Sequence, residues 1–90
     1  MIEVRTVRVT WFVETGFCDS GGMGHWDGTK ESVPCDTADE AKSLRDQWLA
    51  DGKLKKTHLG EFRPLFMMGM FRIRRHEEVI DAKPIELPEA

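Results

Sequence analysis

The segment VRVTWFV, residues 7–13, has the clearest pattern in the sequence. Its odd-numbered residues are all apolar, and polar residues occupy two of the three positions between them. A period of two predicts a β-strand with one face on the core. Residues 2 and 4 are apolar at the opposite parity, which predicts either a bulge near Arg5 and Thr6 or a separate edge pairing. The strand should end near Gly16.

A helix is predicted for residues 38–50. TADE at residues 37–40 matches a capping box, in which the Thr37 hydroxyl accepts from the Glu40 amide and the Glu40 carboxylate reaches back to the Thr37 amide. Ala41, Leu44 and Trp48 recur at helical spacing and form one apolar stripe. The following Asp51-Gly52 supplies a stop signal, because glycine tolerates the left-handed conformation that ends helices.

The remaining segments predict further strands. Residues 29–35 are a candidate second strand, and residues 53–62 are a weaker one that Pro64 terminates. Residues 65–71, LFMMGMF, are apolar at both parities, which is typical of a central strand covered on both faces or of a short buried helix. Residues 77–81 are expected to pair back on this segment. The fold class is therefore α+β: a small antiparallel sheet of about four or five strands in β-β-α-β-β order, with one helix packed on one face.

The length and the ends of the chain bound its organisation. Ninety residues make one domain, which we place at residues 1–82, with residues 83–90 as an edge segment or a frayed acidic tail. The N-terminus shows no signal peptide, and no run is long and apolar enough to cross a bilayer. We therefore expect a cytoplasmic protein without membrane contact.

The glycine-rich segment GFCDSGGMGHWDG, residues 16–28, contains the letters DSGG that surround the nucleophilic serine of trypsin-like proteases. The chain is too short for two β-barrels, and no histidine precedes Ser20, so a protease triad is excluded. A phosphate-binding loop is equally disfavoured, because Asp27 replaces the third glycine of a G-x-G-x-x-G pattern and no helix follows directly. Asp19 and Ser20 are expected to be turn residues within a flexible connection.

Two cysteines and three histidines are candidate metal ligands or nucleophiles. Cys18, His25 and Cys35, completed by His58 or His76, would supply zinc ligands, but the close pairs of structural zinc modules are absent. A thiol nucleophile, Cys18 or Cys35 activated by His25, is a further alternative, and Cys35 lies near the predicted helix N-terminus, where a thiol pKa is lowered. Two cysteines without a signal peptide are expected to be reduced thiols. We predict no catalytic residue, no metal and no cofactor.

An arginine-rich strand raises the possibility of nucleic-acid binding. On a strand, Arg72, Arg74 and His76 would share a face, and aromatic-plus-arginine sheet surfaces stack bases and contact phosphates. The full candidate set is Arg72, Arg74, Arg75, Lys53, Lys55 and Lys56. The net charge of −3 argues against general polyanion binding, and cross-strand pairing of the arginines with Glu77 and Glu78 is the structural alternative.

The favoured function is protein binding. Met23, His25, Trp26 and Asp27 lie in a segment that holds five of the eight glycines, where an indole has few neighbours to bury it. Tryptophan is enriched in interface hot spots, and loops on rigid scaffolds often carry recognition. The alternative is that Trp26 begins the second strand and packs on Trp11. We therefore expect a non-catalytic inhibitor or adaptor that binds a protein through this loop, with a homodimer possible and nucleic acid as the alternative partner.

Overall fold

A computed structural model describes residues 2–19 and 25–85, with side chains described for residues 4–19 and 25–82. Five strands and one helix follow one another along the chain. They are β1 (Ile2–Cys18), β2 (Trp26–Cys35), α1 (Ala38–Ala50), β3 (Leu54–Lys56), β4 (Phe62–Pro64) and β5 (Gly69–Ile85). The α+β class, with a small antiparallel sheet and one helix, is confirmed.

The main sheet has the strand order β2-β1-β5, and both strand pairs are antiparallel. Its central strand is β1, the segment with the period-two pattern. Residues 65–71 do not form the predicted central strand, because residues 65–68 form a turn and β5, at the edge, begins at Gly69. Residues 77–81 do not pair back on that segment either. They continue β5, which pairs with β1 along almost its whole length.

The bulge predicted near Arg5 and Thr6 is confirmed, but its extra residue lies on the partner strand. Thr6 pairs with Asp81 and Val7 pairs with Val79, which leaves Ile80 unpaired on β5. Beyond the end of β2, residues 2–9 of β1 pair only with β5 among the described residues, and together they form a two-stranded arm. The arm gives the molecule a radius of gyration of 18.7 Å, against about 12 Å for a compact chain of this length.

The hydrophobic core lies on one face of the sheet. Val13 from β1, Ala41 and Trp48 from α1, and Leu54 from β3 are buried together. The second sheet, β3 with β4, packs on this face beside the helix, and half-buried residues of β5 complete the cluster through Phe71 and Ile73. Burial on this side leaves the opposite face of the main sheet without a covering element in the described part of the chain.

The helix occupies the predicted residues 38–50, and its caps explain both ends. The Glu40 amide donates to Thr37 Oγ1 at 3.1 Å, as the capping box requires. The reciprocal bond differs from the prediction, because the Glu40 carboxylate accepts from the amide of Asp36 rather than from that of Thr37. At the other end Gly52 adopts a φ of 79° and donates to the Leu49 carbonyl.

Candidate functional site

The uncovered face of the sheet carries an ordered group of charged and aromatic side chains. Even-numbered residues of β1 point away from the core, and the strand register places residues of β2 and β5 beside them. We call this group the binding face, and we include in it Thr29 and Ser32 of β2 and His76, which follows Arg74 on the same face of β5. Its members are Phe12, Glu14, Trp26, Thr29, Ser32, Arg72, Arg74 and His76.

Glu14 is the centre of the binding face and is only 3% exposed. Arg72 Nε donates to its Oε1 at 2.8 Å and Arg74 Nε donates to the same oxygen at 3.1 Å, while Ser32 Oγ donates to Oε2 at 2.7 Å. Burial acts to raise the pKa of this carboxyl, but the bonds from Arg74, Ser32 and Arg72 and the charge of Arg74 outweigh burial and lower it. Glu14 is therefore ionised at neutral pH and fixes both guanidinium groups.

Each of these arginines also stacks on an aromatic ring. The Arg72 guanidinium carbon lies 3.8 Å from the centre of a Trp26 ring, and that of Arg74 lies 4.5 Å from the centre of the Phe12 ring. The two side chains remain 37% and 38% exposed. Because Glu14 takes the Nε donors, and the described residues give the Nη atoms no hydrogen-bond partner, the Nη groups are available to a ligand.

Trp26 is half-buried at the start of β2, and it does not pack on Trp11. Trp26 pairs with Cys18, whereas Trp11 pairs with Cys35 at the other end of β2. The indole lies over Gly16, where a Cβ atom would collide with its ring, and its Nε1 donates to Thr29 Oγ1 at 3.0 Å. The side chain is thus held on the sheet rather than displayed by a loop.

The other residues of the predicted protein-binding set lie close by or outside the described residues. His25 is exposed directly before β2, and its carbonyl accepts from the Asp19 amide at 3.0 Å. Asp27 is exposed and is skipped by the pairing of β2 with β1, so it forms a bulge. Met23 and Ser20 lie outside the described residues.

The set predicted for nucleic acid is divided between the two faces of the sheet. Arg72 and Arg74 share the binding face as predicted, but their carboxylate partner is Glu14 rather than the predicted Glu77 and Glu78. Arg75 points to the opposite face and pairs with Glu77 at 2.9 Å. The three lysines do not join the arginines.

These lysines belong to the core side of the molecule or its edge. Lys53 binds Glu31 at 2.6 Å and lies over the Trp48 ring, and Lys56 lies over the Phe62 ring. Lys55 is exposed on β3, directly before Lys56.

Glu14 and Phe12 were missed by sequence reasoning. Both belong to β1, the strand with the clearest sequence pattern. Their partners lie on β2 and β5, which are distant in sequence. One signal was present: Glu14 directly follows the apolar run at residues 11–13 of the predicted strand, and a carboxylate that becomes buried there needs a cationic partner.

The zinc and nucleophile hypotheses find no support in the positions of the cysteines. Both thiols are free. Cys35 pairs with Trp11 of β1, which is seven positions from Cys18, so the two cysteines are about 24 Å apart along the strand. Within the described ranges no group of three or more His, Cys, Asp or Glu side chains could hold a metal ion. The predicted lowering of the Cys35 pKa is wrong: burial raises it, and the charges of Glu40 and Asp36 raise it further.

Comparisons with protein-family models, with curated proteins and with solved structures find no match for this chain. In the part of the chain that the structure describes, no helix has the length and apolar character that a membrane span requires.

Proposed function

We propose that this domain is a non-catalytic, cytoplasmic binding protein that acts as an inhibitor or adaptor and contacts a protein partner through the binding face. The observation that carries the proposal is the pair of arginines fixed by buried Glu14 and stacked on Trp26 and Phe12. His25 and Asp27, at the same end of the sheet as Trp26, would extend the contact surface.

The arrangement has the physical properties of an interface centre. Tryptophan and arginine are among the residue types most enriched in interface hot spots. Arg72 and Arg74 are already ordered by Glu14, so binding would cost less side-chain entropy than binding by two free arginines. Their outward Nη groups match the geometry of a carboxylate. An acidic segment of a partner protein is therefore the ligand that suits this face.

Nucleic acid is the second candidate, and one observation favours it. Guanidinium groups stacked on aromatic rings of an uncovered antiparallel sheet resemble the surfaces on which single-stranded bases stack. Two observations place it second. Glu14 neutralises one of the two arginine charges on this face, and the chain as a whole carries a net charge of −3.

The test compares two neighbouring arginines on opposite faces of β5. Immobilised wild-type domain and the variants Arg74→Ala and Arg75→Ala are used to capture proteins from a lysate of the source cells, followed by mass spectrometry. We expect Arg74→Ala to lose a captured protein that Arg75→Ala retains, because only Arg74 lies on the binding face. Thermal melts of both variants exclude unfolding as the cause of a loss.

Equal capture by the two variants would contradict the assignment of the face. Single-stranded oligonucleotides are titrated in parallel, at low salt and at increasing salt. Binding that weakens steeply with added salt, and that Arg74→Ala abolishes, would replace the protein partner with nucleic acid.

A further inference from the structure

Four sulfur-bearing side chains line one cleft at the end of the sheet opposite the arm. The cleft has a volume of about 700 Å³ and lies between the end of β1, the turn at residues 65–68 and the start of β5. The sulfur-bearing residues are Cys18, Met67, Met68 and Met70. The proposed function above uses none of them.

Backbone contacts hold two of these sulfurs together. The Cys18 amide donates to the Met68 carbonyl at 2.9 Å, next to the paired residues Phe17 and Gly69. Cys18 Sγ and Met68 Sδ are 3.9 Å apart. Met68 also has a φ of 61°, in the left-handed region that residues with a side chain rarely adopt. The turn thus keeps a methionine, rather than a glycine, directly beside the thiol.

Met70 is placed to supply a third sulfur. Met70 pairs with Gly16, two residues before Cys18, so Met70 and Cys18 lie on the same face as diagonal neighbours. Such neighbours are about 7 Å apart at the backbone, within the reach of long side chains. Both residues line the same cleft and are half-buried.

We propose that Cys18, Met68 and Met70 form a binding site for Cu(I). Thiolate and thioether sulfurs are soft ligands, which select Cu(I) over harder ions. If the metal–sulfur distances are similar to the zinc–thiolate distance of about 2.3 Å, two sulfurs of a trigonal site lie about 4 Å apart. The Cys18 and Met68 sulfurs, at 3.9 Å, already have this separation.

The charges and the ligand types agree with a monovalent soft ion. Binding releases the Cys18 thiol proton, and the thiolate cancels the charge of Cu(I). The Lys55 and Arg63 side chains that also line the cleft would therefore face a neutral centre. Zinc fits less well, because two of the three ligands are thioethers, whereas zinc sites use thiolate, imidazole and carboxylate.

The test is an anaerobic titration of the full chain with Cu(I) in competition with a chromophoric Cu(I) chelator. We expect one Cu(I) per chain and an ultraviolet thiolate-to-copper absorption band. Cys18→Ser should abolish the band, and Met68→Leu and Met70→Leu should each weaken binding at least about tenfold. Cys35→Ser is the matched control, because it removes the other thiol and should leave both the affinity and the band unchanged.

The conservative methionine variants keep the volume of the side chains, so they separate loss of a ligand from loss of the fold, and circular dichroism verifies that each variant is folded. Several results would overturn the site. They are no binding above that of free thiol, equal losses for Cys18→Ser and Cys35→Ser, and wild-type affinity in both methionine variants.

Discussion

Glu14→Gln is the substitution that most directly tests the role of the buried carboxylate. Glutamine has nearly the same shape, so it leaves the packing of the sheet intact and removes only the charge. In the wild type this carboxylate accepts from Ser32, Arg72 and Arg74 at 2.7, 2.8 and 3.1 Å. A glutamine oxygen in the place of Oε1 can still accept from both arginines, but without the carboxylate charge, and the amide nitrogen would replace the acceptor of the Ser32 hydroxyl.

The expected loss of stability follows from these contacts. A hydrogen bond to a charged group contributes about 1.5–3 kcal/mol and a neutral one about 0.5–1.5 kcal/mol, so loss of the carboxylate charge weakens each of the three bonds by about 1–2 kcal/mol. The upper end of this range does not apply, because the arginine side chains are 37% and 38% exposed and water can solvate them in the variant. We expect the free energy of unfolding to fall by about 2–3 kcal/mol, which lowers Tm by roughly 10–20 °C in a domain of this size.

The pH dependence of this loss provides a second measurement. The pKa of Glu14 is lowered in the folded state, so its stabilising contribution is fully present above the unfolded pKa of about 4.3. The contribution is lost as the pH falls from there through the lowered folded pKa. Urea denaturation of the wild type and of Glu14→Gln should therefore differ most at pH 7 and converge as the pH falls below about 4.

Glu31→Gln is the matched control. Glu31 pairs with Lys53 at 2.6 Å, but both side chains are 42% exposed, so its loss should cost under about 1 kcal/mol. The reasoning fails if the two substitutions have equal effects at pH 7, or if the difference between the wild type and Glu14→Gln is the same at pH 7 and at pH 3.

Three further substitutions should change the free energy of unfolding, each measured by the same denaturation. Gly16→Ala should lower it by about 1–3 kcal/mol, because a Cβ would overlap the Trp26 ring and the Gly28 carbonyl oxygen; an unchanged value would show that both the indole and the β2 backbone at Gly28 move freely. Thr15→Val should raise it by about 1 kcal/mol, because the buried Thr15 hydroxyl has no partner among the described residues; a loss would reveal one. Thr37→Ala should lower it by about 1 kcal/mol by removing the helix cap, and no change would contradict the capping bond.

The helix was predictable from sequence because all its signals are local. Its cap, its apolar stripe and its terminating glycine lie within 16 residues, and each acts on its neighbours in the chain. The period-two pattern of β1 is local in the same sense. These two elements define the fold class, since a helix and a half-buried strand require a sheet with one covered face.

The position of β5 and the centre of the binding face depend on contacts that local patterns do not encode. Residues 65–71 are apolar at both parities, so periodicity could not separate the turn at 65–68 from the strand that begins at Gly69. The Arg72 and Arg74 bonds to Glu14 span 58 and 60 residues. Their existence depends on the register of β1 with β5, which only the assembled sheet defines.

Two bulges in β2 connect the sites that the sequence presents as alternatives. Glu14 pairs with Ser32, and strict pairing from there would place Trp26 opposite position 20, but Lys30 and Asp27 are both skipped and Trp26 pairs with Cys18 instead. The indole is thereby drawn back two residues along β1, over the bare backbone of Gly16 and against Arg72. The tryptophan of the glycine-rich segment and the first arginine of the basic strand therefore touch, and the two candidate sites share one surface.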